Sequence, residues 1–248
     1  RVAAMAARTS AGVLTFGRAA DAEVRLSRVG LDRDGHTTLT LEWRGGSQDI
    51  ALGYVGEHHA MNAAAAAAAA LGLGLPLGDV ADVLRASTPL SKWRMEVRTS
   101  PQGVVVVNDS YNANPDSMRA AVKALVDIAV RRSDARTVAV LGEMCELGDA
   151  SQAEHEEMGR LVAGMGVARL VVVGEAARPM FDAARGDVSW GGTAEFAEDP
   201  DQALSLIGGA LVQGDVVLVK ASRAAGLEGL AAALVAGALP DTRTDGGQ

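Results

Sequence analysis

The groups best able to do chemistry stand in three short runs, each directly behind an apolar stretch. The first is Asn108-Asp109-Ser110-Tyr111-Asn112-Ala113-Asn114-Pro115, after four consecutive valines. An Asp at a strand end can accept from both hydroxyls of a ribose, and a Tyr beside it offers a stacking face. The alternative is a plain Asp/Asn-rich turn. Asn114 with Pro115 reads as a helix start, a capping oxygen followed by a residue with fixed φ and no donor to lose. The second run is Leu141-Gly142-Glu143-Met144-Cys145-Glu146-Leu147-Gly148. Its glycines allow a close backbone approach, and its two carboxylates could receive a cation or an amine; a solvated acidic loop is the competing reading. His155 follows on the next expected helix, where a lone His is more often structural than catalytic. The third is Lys220-Ala221-Ser222-Arg223. Two cations and a hydroxyl at a strand mouth suit a carboxylate or phosphate, or are ordinary surface charge.

Two further features lie elsewhere. In Gly56-Glu57-His58-His59-Ala60-Met61-Asn62, His58 and Asn62 are four apart and share a helix face. On a helix otherwise made of alanine, Asn62 is a candidate for reading an adenine edge, or a polar spot on an exposed face. Trp93-Arg94-Met95-Glu96 falls in an expected interdomain linker, where Arg94 could reach a phosphate or pair with a nearby acid.

The elements that must position these groups change character along the chain. Residues 12–53 read as antiparallel β, with strands at 13–16, 23–31, 36–43 and 48–52. A hairpin turn is expected at Arg44-Gly45-Gly46-Ser47, its two glycines supplying positive φ. Helices are expected at 57–71, where the run of alanines at 63–70 has the best helix propensity, and at 77–86. Pro89 then breaks the pattern, and a domain boundary is placed at 87–92. From there strands (104–107, 137–141, 170–173, 216–219) alternate with helices (115–130, 153–163, 175–184, 199–210, 227–235). Continuous apolar strands separated by helices imply an α/β fold with a mostly parallel sheet covered on both faces. In such sheets ligands bind beyond the carboxyl ends of the strands, where the three runs stand.

Composition narrows the class. With 48% hydrophobic but only 3% aromatic residues, Ala, Val and Leu must fill the core. A net charge of −8 with scattered cations argues against a nucleic-acid binder. One cysteine, Cys145, allows no intrachain disulfide and no Cys-based zinc cluster, which fits a reducing compartment. No apolar stretch reads as a membrane span. The chain opens on Arg1 and is expected to be a processed or truncated piece. It contains no Gly-x-x-x-x-Gly-Lys-Ser/Thr loop, and no Gly-x-Gly-x-x-Gly that would support a dehydrogenase.

In order and spacing the runs resemble the MurF family of Mur ligases, over about residues 5–235. The 108–118 segment is close to that family's Asp-Asp-Ser-Tyr-Asn-Ala-Asn-Pro signature, 140–148 to its Val-Leu-Gly-Asp-Met-x-Glu-Leu-Gly segment, and 56–63 to the Gly-x-His-Asn-x-x-Asn-Ala helix of Mur ligases. Arg94-Met95-Glu96 and Lys220-Ala221-Ser222-Arg223 match its linker and its Lys-Gly-Ser-Arg strand end. Departures are His59 for Asn, Ala221 for Gly, and Lys92-Trp93 before Arg94.

The resemblance implies a piece of a three-domain enzyme. Residues 1–88 would be the second half of a P-loop-type central, ATP-binding domain and 89–240 a Rossmann-like C-terminal domain, with 241–248 an expected disordered tail. It implies ATP-driven addition of D-alanyl-D-alanine to UDP-N-acetylmuramoyl-tripeptide, with ATP and Mg2+ as cofactors and the metal ligands upstream of this chain. His58, Asn62, Arg94, Asp109, Tyr111 and Asn112 would hold the nucleotide. Asn114, Lys220, Ser222 and Arg223 would face the dipeptide, and Arg94 and Lys220 would serve catalysis. A cytoplasmic monomer is expected, without nucleic-acid partner or membrane insertion. Lacking the phosphate loop, the isolated chain is expected not to turn over. A related Mur or folylpolyglutamate-type ligase, or a non-catalytic nucleotide-binding module, are the alternatives.

Overall fold

A computed structural model describes residues 3–133 and 135–237; the tail at 241–248 lies outside them. The chain separates into two compact units, one ending at Thr88 and the other running on from Pro89.

The first unit is a four-stranded sheet in the order β1 (Phe16–Gly17), β2 (Val24–Leu31), β3 (His36–Trp43), β4 (Gly46–Val55), packed with α1 (His59–Gly72) and α2 (Leu77–Ala86). Strands β2, β3 and β4 are antiparallel as expected, but β1 runs parallel to β2. A pairing only two residues long makes little demand on its connection, so residues 18–23 suffice to bring the chain back in the same direction. The β3–β4 turn also differs from expectation. Positive φ falls on Arg44 (47°) and Gly45 (81°), while Gly46 already pairs with Trp43. A two-residue hairpin loop needs both its central residues there to match the strand twist. Position therefore decides, and Arg44 accepts the conformation with its guanidinium 4.6 Å over the Trp43 ring.

Helix α1 buries Ala60, Ala63, Ala64, Ala67, Ala68 and Leu71, spaced three and four apart, against Val24, Leu26, Leu39, Leu41, Ile50 and Leu52. It ends where Gly74 takes φ +91° and its N–H donates to Leu71 O, the left-handed stop that glycine adopts without penalty.

The second unit contains, in chain order, β5 (Glu96–Thr99), β6 (Val105–Asn108), α3 (Pro115–Arg131), β7 (Thr137–Leu141), α4 (Ser151–Gly164), β8 (Arg169–Val173), α5 (Arg178–Arg185), β9 (Thr193–Ala197), α6 (Pro200–Gly208), β10 (Val216–Lys220) and α7 (Glu228–Ala236). The sheet order is β5-β6-β10-β7-β8-β9, parallel except for β5. Val217 and Val219 of β10 face a core built with Ile207, Leu230 and Leu234 of α6 and α7. Their neighbour Leu218 points to the opposite face, which α3 covers.

The edge strands β5 and β9 were not expected from sequence. Both are short, half-exposed and polar, Glu-Val-Arg-Thr and Thr-Ala-Glu-Phe-Ala, and so give no apolar run. Charged residues on such edges discourage further strand pairing. Helix α3 starts as its sequence requires: Asn114 Oδ1 accepts from Ser117 N–H (2.8 Å), and Ser117 Oγ accepts from Asn114 N–H (3.0 Å).

Candidate functional site

The last strand among the described residues, β10, is inserted between β6 and β7, so three runs far apart in sequence end side by side. Backbone bonds continue past the strands and stitch them together. Asp109 N–H donates to Val219 O (2.9 Å), Gly142 N–H to Lys220 O (3.0 Å) and Ser222 N–H to Glu143 O (2.8 Å). The patch lies at the carboxyl ends of adjacent parallel strands, the usual ligand side of such sheets.

At its centre is an ion pair. Lys220 is 1% exposed, and its Nζ donates to Asp109 Oδ2 (2.6 Å) and to the Asn112 carbonyl (2.8 Å). A lysine so buried requires partners, because an unpaired charge out of water is strongly disfavoured. The other carboxylate oxygen, Asp109 Oδ1, accepts from Met95 N–H (3.0 Å). The Asp109 side chain keeps 14% exposure. Asn112 contributes its carbonyl to the lysine while its side chain is exposed.

Beside the pair stands a group of cations on rings. The Arg94 guanidinium lies 4.3 Å over the Tyr111 ring. Arg223 lies 5.9 Å from the same ring and 5.7 Å from that of Trp93. Among the described residues neither arginine forms a carboxylate ion pair, and both are exposed. Their charges are held by ring faces, which leaves N–H donors for an anion. The segment carrying Arg94 is held in a costly shape, with Trp93 at φ 61° and Met95 at φ 47°. Such non-glycine conformations cost on the order of 1–3 kcal/mol each and persist only where surroundings impose them. Here Tyr111 N–H to Trp93 O (3.1 Å) and Met95 N–H to Asp109 impose it. Trp93 and the Met95 amide carry no signal of a site in the sequence, because two left-handed residues around an arginine have no sequence signature without a glycine.

Ser222 and His155 serve the second run. Ser222, buried, accepts from Cys145 N–H at Oγ (2.8 Å), and that hydroxyl points to Ala113 O (3.4 Å). His155 is fully buried; its Nδ1 donates to Ser151 O (2.7 Å) and its Nε2 accepts from Met144 N–H (3.0 Å). With one nitrogen donating and the other accepting, the ring serves as a loop support. Glu143 is half-buried and Glu146 exposed, at φ 64°. Asn114 commits its Oδ1 to the α3 cap.

His58 and Asn62 belong to the first unit. Both are exposed, His58 at the cap position of α1 and Asn62 in its first turn. His59 packs between Tyr54 (5.0 Å between ring centres) and His58 (4.1 Å). Burial, and then the neighbouring His58, push its pKa down to about 4, so it is neutral at pH 7.

Residues 93–223 match the family model "Mur ligase, glutamate ligase domain", and residues 1–70 match "Mur ligase middle domain". A UDP-N-acetylmuramoyl-tripeptide–D-alanyl-D-alanine ligase of Mycobacterium tuberculosis is 43% identical over 249 aligned residues, 95% of this chain and 49% of that protein. The chain thus spans about half the length of the curated relatives it matches. A crystal structure of MurF from Acinetobacter baumannii superposes with TM-score 0.80 at 30% identity, over 93% of this chain and 48% of that one. MurF ligase from Thermotoga maritima in complex with ADP gives 0.68 at 26% identity, over 88% and 47%. With the glutamate ligase domain model alone covering more than half of the 248 residues, this chain belongs to the Mur ligase family.

Proposed function

We propose that this chain is the nucleotide- and acceptor-binding part of an ATP-dependent amide-bond ligase of the MurF type, which joins D-alanyl-D-alanine to UDP-N-acetylmuramoyl-tripeptide. The observation that carries the reading is the 43% identity to the relative of that name across 95% of the chain. In the proposed reaction the tripeptide carboxylate takes the terminal phosphoryl group of ATP and ADP leaves. The dipeptide amine then attacks the acyl carbon, inorganic phosphate departs, and the amine proton is released.

The second unit has groups suited to these ligands. An ionised carboxylate offers about four acceptor positions, and Asp109 has spent one on Met95 and one on Lys220. What remains suits the two hydroxyls of a ribose. Arg94, held on Tyr111, offers donors to phosphate oxygens, whose charge such donors offset during phosphoryl transfer. Arg223, held on Trp93 and Tyr111, is the group we assign to the dipeptide carboxylate. His58 and Asn62 are assigned to the adenine. Mg2+ would offset phosphate charge; we place its ligands in the part of the relatives' length that this chain does not span. We further propose a cytoplasmic monomer. No helix of the described residues is long and apolar enough to cross a membrane.

The test is ligation by the full-length gene product given ATP, UDP-N-acetylmuramoyl-tripeptide and either D-alanyl-D-alanine or a free diamino acid. Peptide formation and ADP release are expected with the dipeptide alone. Preference for the diamino acid would move the protein to another branch of the family. The isolated 248 residues, which contain no Gly-rich phosphate loop, are expected to give no turnover.

A further inference from the structure

We infer that Lys220 is a positioning residue for the nucleotide side of the site and does not face the incoming dipeptide. The inference deepens the ligase reading and rests on it. Lys220 is 1% exposed, and its ammonium is directed at Asp109 Oδ2 and the Asn112 carbonyl. A group that far from solvent has no open path to a substrate, whereas the carboxylate it holds is partly exposed. The same carboxylate carries a second bond, Oδ1 to Met95 N–H, on the residue next to Arg94. Tyr111 N–H to Trp93 O ties that segment a second time, and Tyr111 is the ring beneath Arg94.

One buried cation therefore fixes three things at once. It selects the rotamer of Asp109, so that the remaining acceptor positions face outward. It closes the 109–112 turn through the Asn112 carbonyl. Through Asp109 it keeps Met95 in the left-handed conformation that presents Arg94. Asp109 without Lys220 would be a partly buried anion free to rotate toward solvent, releasing Met95 and with it the arginine.

The experiment uses the full-length protein with Lys220→Met, Asp109→Asn and the double variant. It measures KM for ATP, KM for D-alanyl-D-alanine, kcat, and ADP affinity by calorimetry without dipeptide. Loss of a charge-assisted bond predicts that K220M raises KM for ATP and weakens ADP binding on the order of tenfold to a hundredfold, while KM for the dipeptide, whose proposed partner Arg223 rests on the same Trp93 and Tyr111 rings, rises clearly less than that for ATP. In the D109N background K220M should add little, since groups acting through one another are non-additive. The double variant also removes both buried charges together, so it remains informative where K220M alone leaves a stranded carboxylate and folds poorly. A dipeptide KM that rises as much as the ATP KM, or an ADP affinity equal to wild type, overturns the inference. Failure of the ligase reading looks different: the wild-type protein itself would form no peptide.

Discussion

Gly142 and Ala221 meet across the ends of β7 and β10 so closely that a methyl group on Gly142 would stand 2.9 Å from Ala221 Cβ. Carbon atoms do not pack at that distance, and both positions lie in a buried, stitched part of the sheet. Ala225 Cβ and Leu227 Cδ1, each 3.5 Å away, close the remaining space. Gly142→Ala should therefore lower stability by about 1–3 kcal/mol through overpacking. Adding Ala221→Gly to the same chain should recover most of the loss. Urea unfolding of the single and double variants checks this, and a G142A protein as stable as wild type would show the contact to be soft.

His155 supports the second run from beneath. Replacing it with Ala strands the Met144 N–H in a buried setting and also removes volume. The expected cost is about 1–3 kcal/mol for the unpaired donor alone. Hydrogen exchange gives a local readout: the Met144 amide should exchange faster in H155A, while amides in β8 stay protected. Equal exchange at Met144 in both proteins would mean that the loop is held by other contacts.

His59 makes the first unit sensitive to acid. Its pKa in the folded chain is pushed down to about 4 from 6.5, first by burial and then by His58. Between those values the unfolded chain binds the proton that the folded chain refuses, so stability falls as pH drops through that window and levels off below it. His59→Gln should remove this part of the pH dependence without altering stability's slope above pH 6.5. Unfolding midpoints across that range for both proteins test it, and parallel curves would refute the assignment.

Tyr111 is proposed to act through its ring face. In the full-length protein Tyr111→Phe should leave ADP affinity close to wild type, because the surface under Arg94 survives. Tyr111→Ala should weaken binding by about 0.5–2 kcal/mol, the range for a cation on a ring. If Y111F is as damaged as Y111A, the hydroxyl is the working group and the stacking account fails.

Much of this was legible in the residues. Asn114 with Pro115 announces the α3 cap because both act through local backbone chemistry, and the structure shows that cap with Ser117 as partner. The valine strands are legible because burial on both faces demands continuous apolar residues. Strands β5 and β9 were not, since an edge strand buries too little to require a pattern. Nor was the buried face of α1: a run of alanines is the same on every side, and only the sheet beneath selects Ala63, Ala64, Ala67 and Ala68 over Ala66 and Ala69.

The sequence by itself determined that three polar runs would crown strand ends, because apolar periodicity and helix-start chemistry are encoded within a few residues. Only the tertiary structure decided that β10 enters between β6 and β7, and that Lys220 therefore meets Asp109, 111 residues away in the chain. Strand order is set by which crossovers bury both faces of the sheet together, a condition on the whole unit that no single run carries.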